Sequence, residues 1–364
     1  MKGTMDFAFS EEQQQLRASA RQFLADRYDD GTAARVADSE SGFDADVWPN
    51  LAELGWFDPE LTFLEYAVLF EETGARLLPA PYFSTVALAG PTLRTDEELA
   101  KRLAAGGLRA TLAWAEAGVQ QGFLDHAGLA ARVAGGRLDG HKVLVPDAAA
   151  VDLFVVAARE GSRGASAVGL YAVEAAHAEV VPRDTLDRTR RLGEVRFAGA
   201  SARPLVSPDD ADRAVAVLAQ TRRWSLAAAP CEAVGVAGRA LDLAAEHARS
   251  RQQFGRPIGV YQAVSHRVVD SYVGLEEARS LAYWAAWCVA EDDPQADRAC
   301  LAAKAHAGEA AVAACESAIQ VHGGIGFTWE HVLHRYYKRA QWLAAVEGPA
   351  RDQRAEIAAA LLDH

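Results

Sequence analysis

The second half of this 364-residue chain is an alanine-rich, helix-periodic run broken at two glycine-bearing points. The first break is Arg251-Gln252-Gln253-Phe254-Gly255-Arg256-Pro257-Ile258-Gly259, and the second is Gln320-Val321-His322-Gly323-Gly324-Ile325-Gly326-Phe327. Glycine at such a break permits backbone conformations that other residues avoid. The N-terminus of the helix that follows such a break exposes N–H groups and a positive dipole that can hold phosphate. The pattern therefore points to long helices joined by corners that can take an anionic ligand.

Helical periodicity persists from about Pro208 nearly to His364, in segments at about 209–250, 260–292, 294–322 and 330–345. Residues 1–107 also read as mainly helical. Ser10 followed by two glutamates opens a helix that carries Leu16, Ala20, Phe23 and Leu24 to about Asp29, and DADVWPNLAELGWF and LTFLEYAVLFEETGARL predict two more, with Gly74 interrupting the last near its end. Between Gly106-Gly107 and about residue 205 the texture changes to short β-prone runs: LRATLAWAE, AARVAGGRLDGHKVLV, VDLFVVAAR, SAVGLYAVE and GEVRFAG. Gly135-Gly136 and Asp139-Gly140 read as hairpin punctuation between them. The expected organisation is α+β: a helical N-terminal domain (1–107), a small antiparallel, barrel-like middle β domain (108–205) and a C-terminal helical bundle (206–364).

Composition narrows the partners. A net charge of −13 disfavours nucleic acid and anionic membrane surfaces, so an anionic ligand needs a local basic pocket. Cys231, Cys288, Cys300 and Cys315 form no C-x-x-C or zinc-like grouping and are expected as reduced core residues. The opening MKGTMDFAFSEEQQQ turns polar before a signal-peptide core could form, and no apolar run reaches spanning length. A cytoplasmic location is the expectation.

The two breaks, in this order and of this composition, resemble the flavin-gripping segments of the acyl-CoA dehydrogenase family. The resemblance covers nearly the whole chain and is strongest between Ala237 and Arg339; Asp184-Thr185-Leu186-Asp187-Arg188-Thr189-Arg190-Arg191 with Gly193-Glu194-Val195-Arg196-Phe197 looks like the family's late β-domain segment. It implies FAD as cofactor, with Arg251 and Gln320 gripping the dinucleotide, Phe254 packing nearby, and Gly323 and Gly324 permitting close backbone approach. In related enzymes these segments commonly act across a subunit boundary, which implies an oligomer.

The chemistry the resemblance implies is α,β-dehydrogenation of an acyl thioester, on CoA or a carrier protein. A glutamate removes the α-proton, a β-hydride passes to flavin N5, and electrons go on to an electron-transfer flavoprotein. Such a base needs reach to the α-carbon and a dry pocket. Glu347, in Val346-Glu347-Gly348, falls where many relatives carry a catalytic Glu-Gly, although Pro349-Ala350-Arg351-Asp352 replaces the hydroxyl-bearing segment that commonly follows. Other relatives place the base on the helix before the first break, where this chain has Ser225. Glu232, seven residues on, projects from nearly the same helix face about 10 Å further along. It sits in the apolar run AAAPCEAVGVAG, either as a second candidate base or as a structural carboxylate paired with an arginine.

The β domain departs from the family pattern. Ala115-Glu116-Ala117-Gly118-Val119-Gln120-Gln121 stands where relatives have an acidic-glycine-serine segment, and Leu144 and Pro146 replace the aromatic and threonine beside the flavin ring. Gly55-Trp56-Phe57-Asp58-Pro59-Glu60-Leu61 runs straight into the next helix where relatives have a longer glycine-rich loop. Short members of this kind resemble partners in two-subunit dehydrogenases acting on bulky acyl groups such as steroid side chains. A catalytically silent subunit that completes a partner's site is therefore the alternative, and an oxidase or a flavin-dependent biosynthetic step a third. His322, His331 and His334 lack metal-ligand spacing, so no metal is expected; the Arg188-Arg190-Arg191 cluster is a candidate for CoA phosphates or a solvated turn.

Overall fold

Ser10 closes a capping box at the head of the first helix: its hydroxyl accepts from the Gln13 N–H, and the Gln13 side chain accepts from the Ser10 N–H. The computed structural model describes residues 9–118, 128–160 and 168–362. The elements in chain order are α1 (Glu11–Arg27), α2 (Asp30–Asp38), α3 (Val47–Glu53), α4 (Phe63–Ala75), α5 (Gly90–Leu93), α6 (Glu97–Ala104), β1 (Ala110–Ala113), β2 (Arg132–Ala134), β3 (Arg137–Pro146), β4 (Leu153–Glu160), β5 (Val168–Glu174), β6 (Glu179–Arg183), β7 (Leu192–Ser201), β8 (Arg203–Val206), α7 (Ala211–Ser250), β9 (Gln252–Gln253), β10 (Arg256–Pro257), α8 (Gln262–Ala290), α9 (Ala296–His322), α10 (Leu333–Ala345) and α11 (Ala350–Leu362). No helix among the described residues is long and apolar enough to cross a membrane. All four cysteines are buried free thiols.

The chain divides into two units: residues up to Ala34, Leu61–Leu78 and everything from Leu226 form one; Arg35–Glu60 with Pro79–Ser225 form the other. The first is helical. Within it α4 meets α7 backbone to backbone, because two glycines remove the side chains that would hold them apart. A Cβ on Gly235 would sit 1.9 Å from the Glu71 carbonyl oxygen, and one on Gly74 2.2 Å from that of Glu232. Gly74 thus lies inside α4 as a contact surface rather than an interruption. Acidic side chains on α4 are buried and satisfied: Glu71 accepts from Arg17 at 3.0 Å, from the Tyr283 hydroxyl at 2.7 Å and from Arg279 at 3.2 Å, while Glu72 accepts from Arg21 at 2.8 Å. Charged groups at this depth persist only when paired in this way.

The second unit is built on an eight-stranded sheet ordered β6-β7-β3-β2-β4-β5-β8, with β1 also on β4. Its pairs are antiparallel except those of β4 with β1 and β2, which are parallel. Phe154 of β4 and Phe197 of β7 meet edge to face at 6.0 Å. Three strand steps separate β4 from β7 in the sheet order, which in a flat sheet amounts to ~14 Å. The sheet therefore curls around a shared core that also takes in Val133, Leu138, Val156 and Val195. Gly135 and Gly136, with φ of 55° and 72°, make the tight β2–β3 hairpin. Asp139-Gly140 does not turn the chain. It lies inside β3 at an irregularity in the pairing with β7, and a Cβ on Gly140 would stand 2.6 Å from that of Ala131, so glycine serves close packing there.

Candidate cofactor and catalytic site

Where α7 ends, β9 and β10 form a two-residue hairpin whose turn is Phe254 (φ 52°) and Gly255 (φ 78°). Both residues are left-handed, as a tight hairpin requires. Phe254 is left 91% exposed, edge-on to Tyr261 at 6.3 Å. Arg251 is fixed through its backbone, its N–H on His247 O at 2.8 Å and its carbonyl accepting from Ile258 N at 2.9 Å. Its exposed guanidinium makes no hydrogen bond or ion pair among the described residues.

The second break ends α9 in the same conformational language. Gly323 (φ 67°) caps the helix by donating to Gln320 O, and open space surrounds the positions where Cβ atoms on Gly323 and Gly324 would lie. Gln320 is exposed on the last turn, its amide likewise without a partner among the described residues.

Histidines join the two breaks. His247, on the last turn of α7, stacks on His322 with ring centroids 4.2 Å apart, and His331 packs against His322 at 4.4 Å with its ring tilted by 55°. The His322 Nδ1 lies 2.8 Å from Ala318 O and must carry its proton to bond there. Burial, reinforced by the charges of His322, Arg251 and His331, pushes His247 below the ordinary histidine range. The remaining member of the sequence cluster, His334, packs against Trp329 instead, at 4.5 Å. Among the described residues no group of three or more His, Cys, Asp or Glu side chains could hold a metal ion. Arg251 and Gln320 thus stand on neighbouring corners with open donors and small residues beside them. A guanidinium and an amide offered together as free donors fit the charge and oxygens of a dinucleotide pyrophosphate.

Glu347 and Gly348 form the turn between α10 and α11, with φ of 58° and 92°. Glu347 is partly buried. The turn is held from within: Gln353 Nε2 donates to Glu347 O at 2.7 Å and to Gly348 O at 3.2 Å, and Lys304 Nζ donates to Ala344 O at 3.0 Å. Burial pushes the Lys304 ammonium down to about 8, while the Glu347 carboxylate works in the opposite direction. Neither Lys304 nor Gln353 emerged from the motifs, although a lone lysine in the apolar run Leu301-Ala302-Ala303-Lys304-Ala305 was a signal of the same kind as Glu232.

Glu232 is 1% exposed and forms an ion pair with Arg339 of α10, itself 1% exposed. The side chain is thus an internal ion-pair partner across the helical unit.

In the sheet unit Leu144 has φ 53° and is 64% exposed, at an irregularity in the pairing of β3 with β7. Pro146 closes that strand opposite Leu192. Glu116 is buried, accepting from Ala131 N at 3.1 Å and from Lys142 Nζ at 2.6 Å. Lys142, fully buried, is pushed down to about 8 by desolvation against the pull of Glu116. Val119, Gln120 and Gln121 lie outside the described residues. Of the arginine cluster, Arg190 is buried over Phe83, and Arg191 donates to Glu40 O at 2.6 Å, Ala37 O at 3.1 Å and Ser39 O. Arg188, half exposed, approaches Asp38 at 3.7 Å.

Comparison with known proteins accords with this architecture. The family description "Acyl-CoA dehydrogenase, N-terminal domain" matches residues 10–103, and "Acyl-CoA dehydrogenase, C-terminal domain" matches residues 214–362. The acyl-CoA dehydrogenase IpdE2 of Mycobacterium tuberculosis is 31% identical over 350 residues, spanning 91% of each chain. Among solved structures, a chain of the ChsE4-ChsE5 complex from Mycobacterium tuberculosis superimposes with a TM-score of 0.83 at 26% identity, covering 99% of this chain and 100% of that one. A chain of a variant of the Tcur3481-Tcur3483 steroid ACAD does so with a TM-score of 0.81 at 27% identity, covering 96% and 98%. With both terminal domains matched and a relative aligned along nine-tenths of its length, this chain belongs to the acyl-CoA dehydrogenase family.

Proposed function

We propose that this chain is an FAD-dependent oxidoreductase that removes the α- and β-hydrogens of a bulky acyl-CoA thioester, with Glu347 as the base. The observation that carries the reading is the open donor set at the two glycine breaks: among the described residues the side chains of Arg251 and Gln320 have no protein partner, while the stacked His247–His322 pair joins their segments. Bound FAD supplies the acceptor for the β-hydride. Arg251 neutralises pyrophosphate charge, Gln320 orients it, and Glu347 takes the α-proton at its carboxylate. Glu347 is favoured over Glu232 because the latter's carboxylate is committed to Arg339 at 1% exposure. A steroid-like acyl group is the substrate class the named steroid relative suggests, and an electron-transfer flavoprotein is the expected electron acceptor. Exposed Val269, Tyr272 and Val273 on one face of α8, together with Phe254, favour an oligomer.

A second reading is a catalytically silent subunit of a two-component enzyme. The ChsE4-ChsE5 complex favours it, as does Pro146, which offers no N–H or hydroxyl where a flavin-ring contact is expected. The absorption spectrum of the chain purified alone separates the two. Near-stoichiometric flavin supports the autonomous enzyme; colourless protein that gains flavin only on co-expression with a related subunit supports the other. Given flavin, Glu347→Gln should retain it yet fail to bleach with a thioester that bleaches the wild type. Normal bleaching in Glu347→Gln with loss in Glu232→Gln would move the role to Glu232.

A further inference from the structure

Lys304 does more than fill space beneath the Glu347 turn. It lies on α9 at 2% exposure, one turn before Gly308. At Gly308 the absence of a side chain brings α10 so close that a Cβ would be 3.0 Å from the Ala344 Cα. That close approach sets the end of α10 directly over the lysine. Its Nζ then reaches two carbonyls flanking the base-bearing residue, Ala344 O at 3.0 Å and Gly348 O at 3.5 Å. From the other side Gln353, fully buried, donates to Glu347 O and Gly348 O. An alkyl side chain would fill the same volume, so a charged group here serves the turn electrostatically as well as sterically.

We propose that Lys304 is the positioning residue of the Glu347 turn: its ammonium ties together the carbonyls on either side of Glu347 and sets a positive charge beside that residue. The catalytic consequence rests on Glu347 being the base; the electrostatic coupling does not. Of the other charged groups on the packed elements, Arg351 pairs with Asp352 at 3.3 Å, Arg354 with Glu309, and Arg339 of α10 with Glu232, while α9 also carries Asp297, Arg298 and Glu316, α10 Arg335 and Lys338, and α11 Glu356. The Glu347 carboxylate favours the charged form of Lys304, against the burial that disfavours it. Because a cation favours the ionised form of a neighbouring acid, losing Lys304 must make Glu347 harder to ionise. The acid limb of α-proton removal then moves to higher pH.

The test reads the two side chains directly in the full-length protein with its flavin, by NMR titration of glutamate carboxyl carbons, using Glu347→Gln to identify the Glu347 signal. In Lys304→Met the Glu347 titration should rise by about one pH unit, equivalent to about a tenfold change in its ionisation constant. Gln353→Leu should leave that titration in place while speeding amide exchange across residues 345–353. An unmoved titration in Lys304→Met, or an equal shift in Gln353→Leu, overturns the proposal. Should Lys304→Met not fold, the coupling is read from its other end: in Glu347→Gln, whose change lies on a partly exposed turn, the Lys304 titration must fall below its wild-type value, and a value that stays put overturns the proposal. None of these readings depends on turnover, so normal bleaching in Glu347→Gln would remove Glu347 as base without touching them.

Discussion

Arg339 reaches from α10 to the Glu232 carboxylate on α7, and each side chain is 1% exposed. Breaking a buried pair from one end leaves the other charge without compensation. Arg339→Met should therefore lower unfolding free energy by about 3–5 kcal/mol, whereas the double change Arg339→Met with Glu232→Leu should cost far less. Urea unfolding of the three proteins at pH 7 checks this. Equal losses in the single and double variants would mean that the pair is not the source.

Gly235 and Gly274 are both helical glycines, but with opposite surroundings. A Cβ at Gly235 would lie 1.9 Å from the Glu71 carbonyl oxygen, while at Gly274 of α8 it would meet nothing within 4 Å. Gly274→Ala should stabilise the protein by about 0.5–1 kcal/mol through helix propensity. Gly235→Ala should destabilise it, because α4 and α7 must separate. Thermal melting of the two variants should move in opposite directions.

Arg251→Ala should weaken FAD retention, since the proposed contact to pyrophosphate is a charge-assisted hydrogen bond. A loss of about 10- to 100-fold in affinity corresponds to the 1.5–3 kcal/mol typical of such bonds. Flavin content after dialysis, with folding monitored by circular dichroism, measures it. Unchanged occupancy in a folded variant removes Arg251 from the cofactor site.

Cys315 is fully buried, and desolvation pushes its thiol far above the ordinary value of 9.0. The folded state therefore keeps its proton where the unfolded chain loses it, so this stabilising contribution is complete below pH 9 and falls as pH rises further. Measured against Cys315→Ala, the wild type should lose about 1.4 kcal/mol of relative stability between pH 8 and pH 10. Denaturant titrations at the two pH values give the difference. A gap independent of pH would show that the thiol ionises equally in both states.

The helices and the two glycine-bearing corners were legible in the chain because their determinants are local. Ser10 with Gln13 starts a helix, Gly323 ends one, and Phe254-Gly255 can only turn, all through interactions within a few residues. Local signals failed where one residue type serves two purposes. Asp139-Gly140 reads as a turn, yet its glycine answers the approach of Ala131, and Gly74 reads as an interruption, yet it answers α7. Glu232 stayed ambiguous between base and structural acid, since the arginine that takes it lies 107 residues away. Lys304 and Gln353 gained meaning only when α9, α10 and α11 closed around the Glu347 turn. The sequence by itself determined the family, the helix order and the glycine-bearing corners that end α7 and α9. Tertiary packing alone decided which buried charges meet, because an ion pair depends on burial and on partners brought together through long-range contacts, neither of which periodicity or spacing encodes.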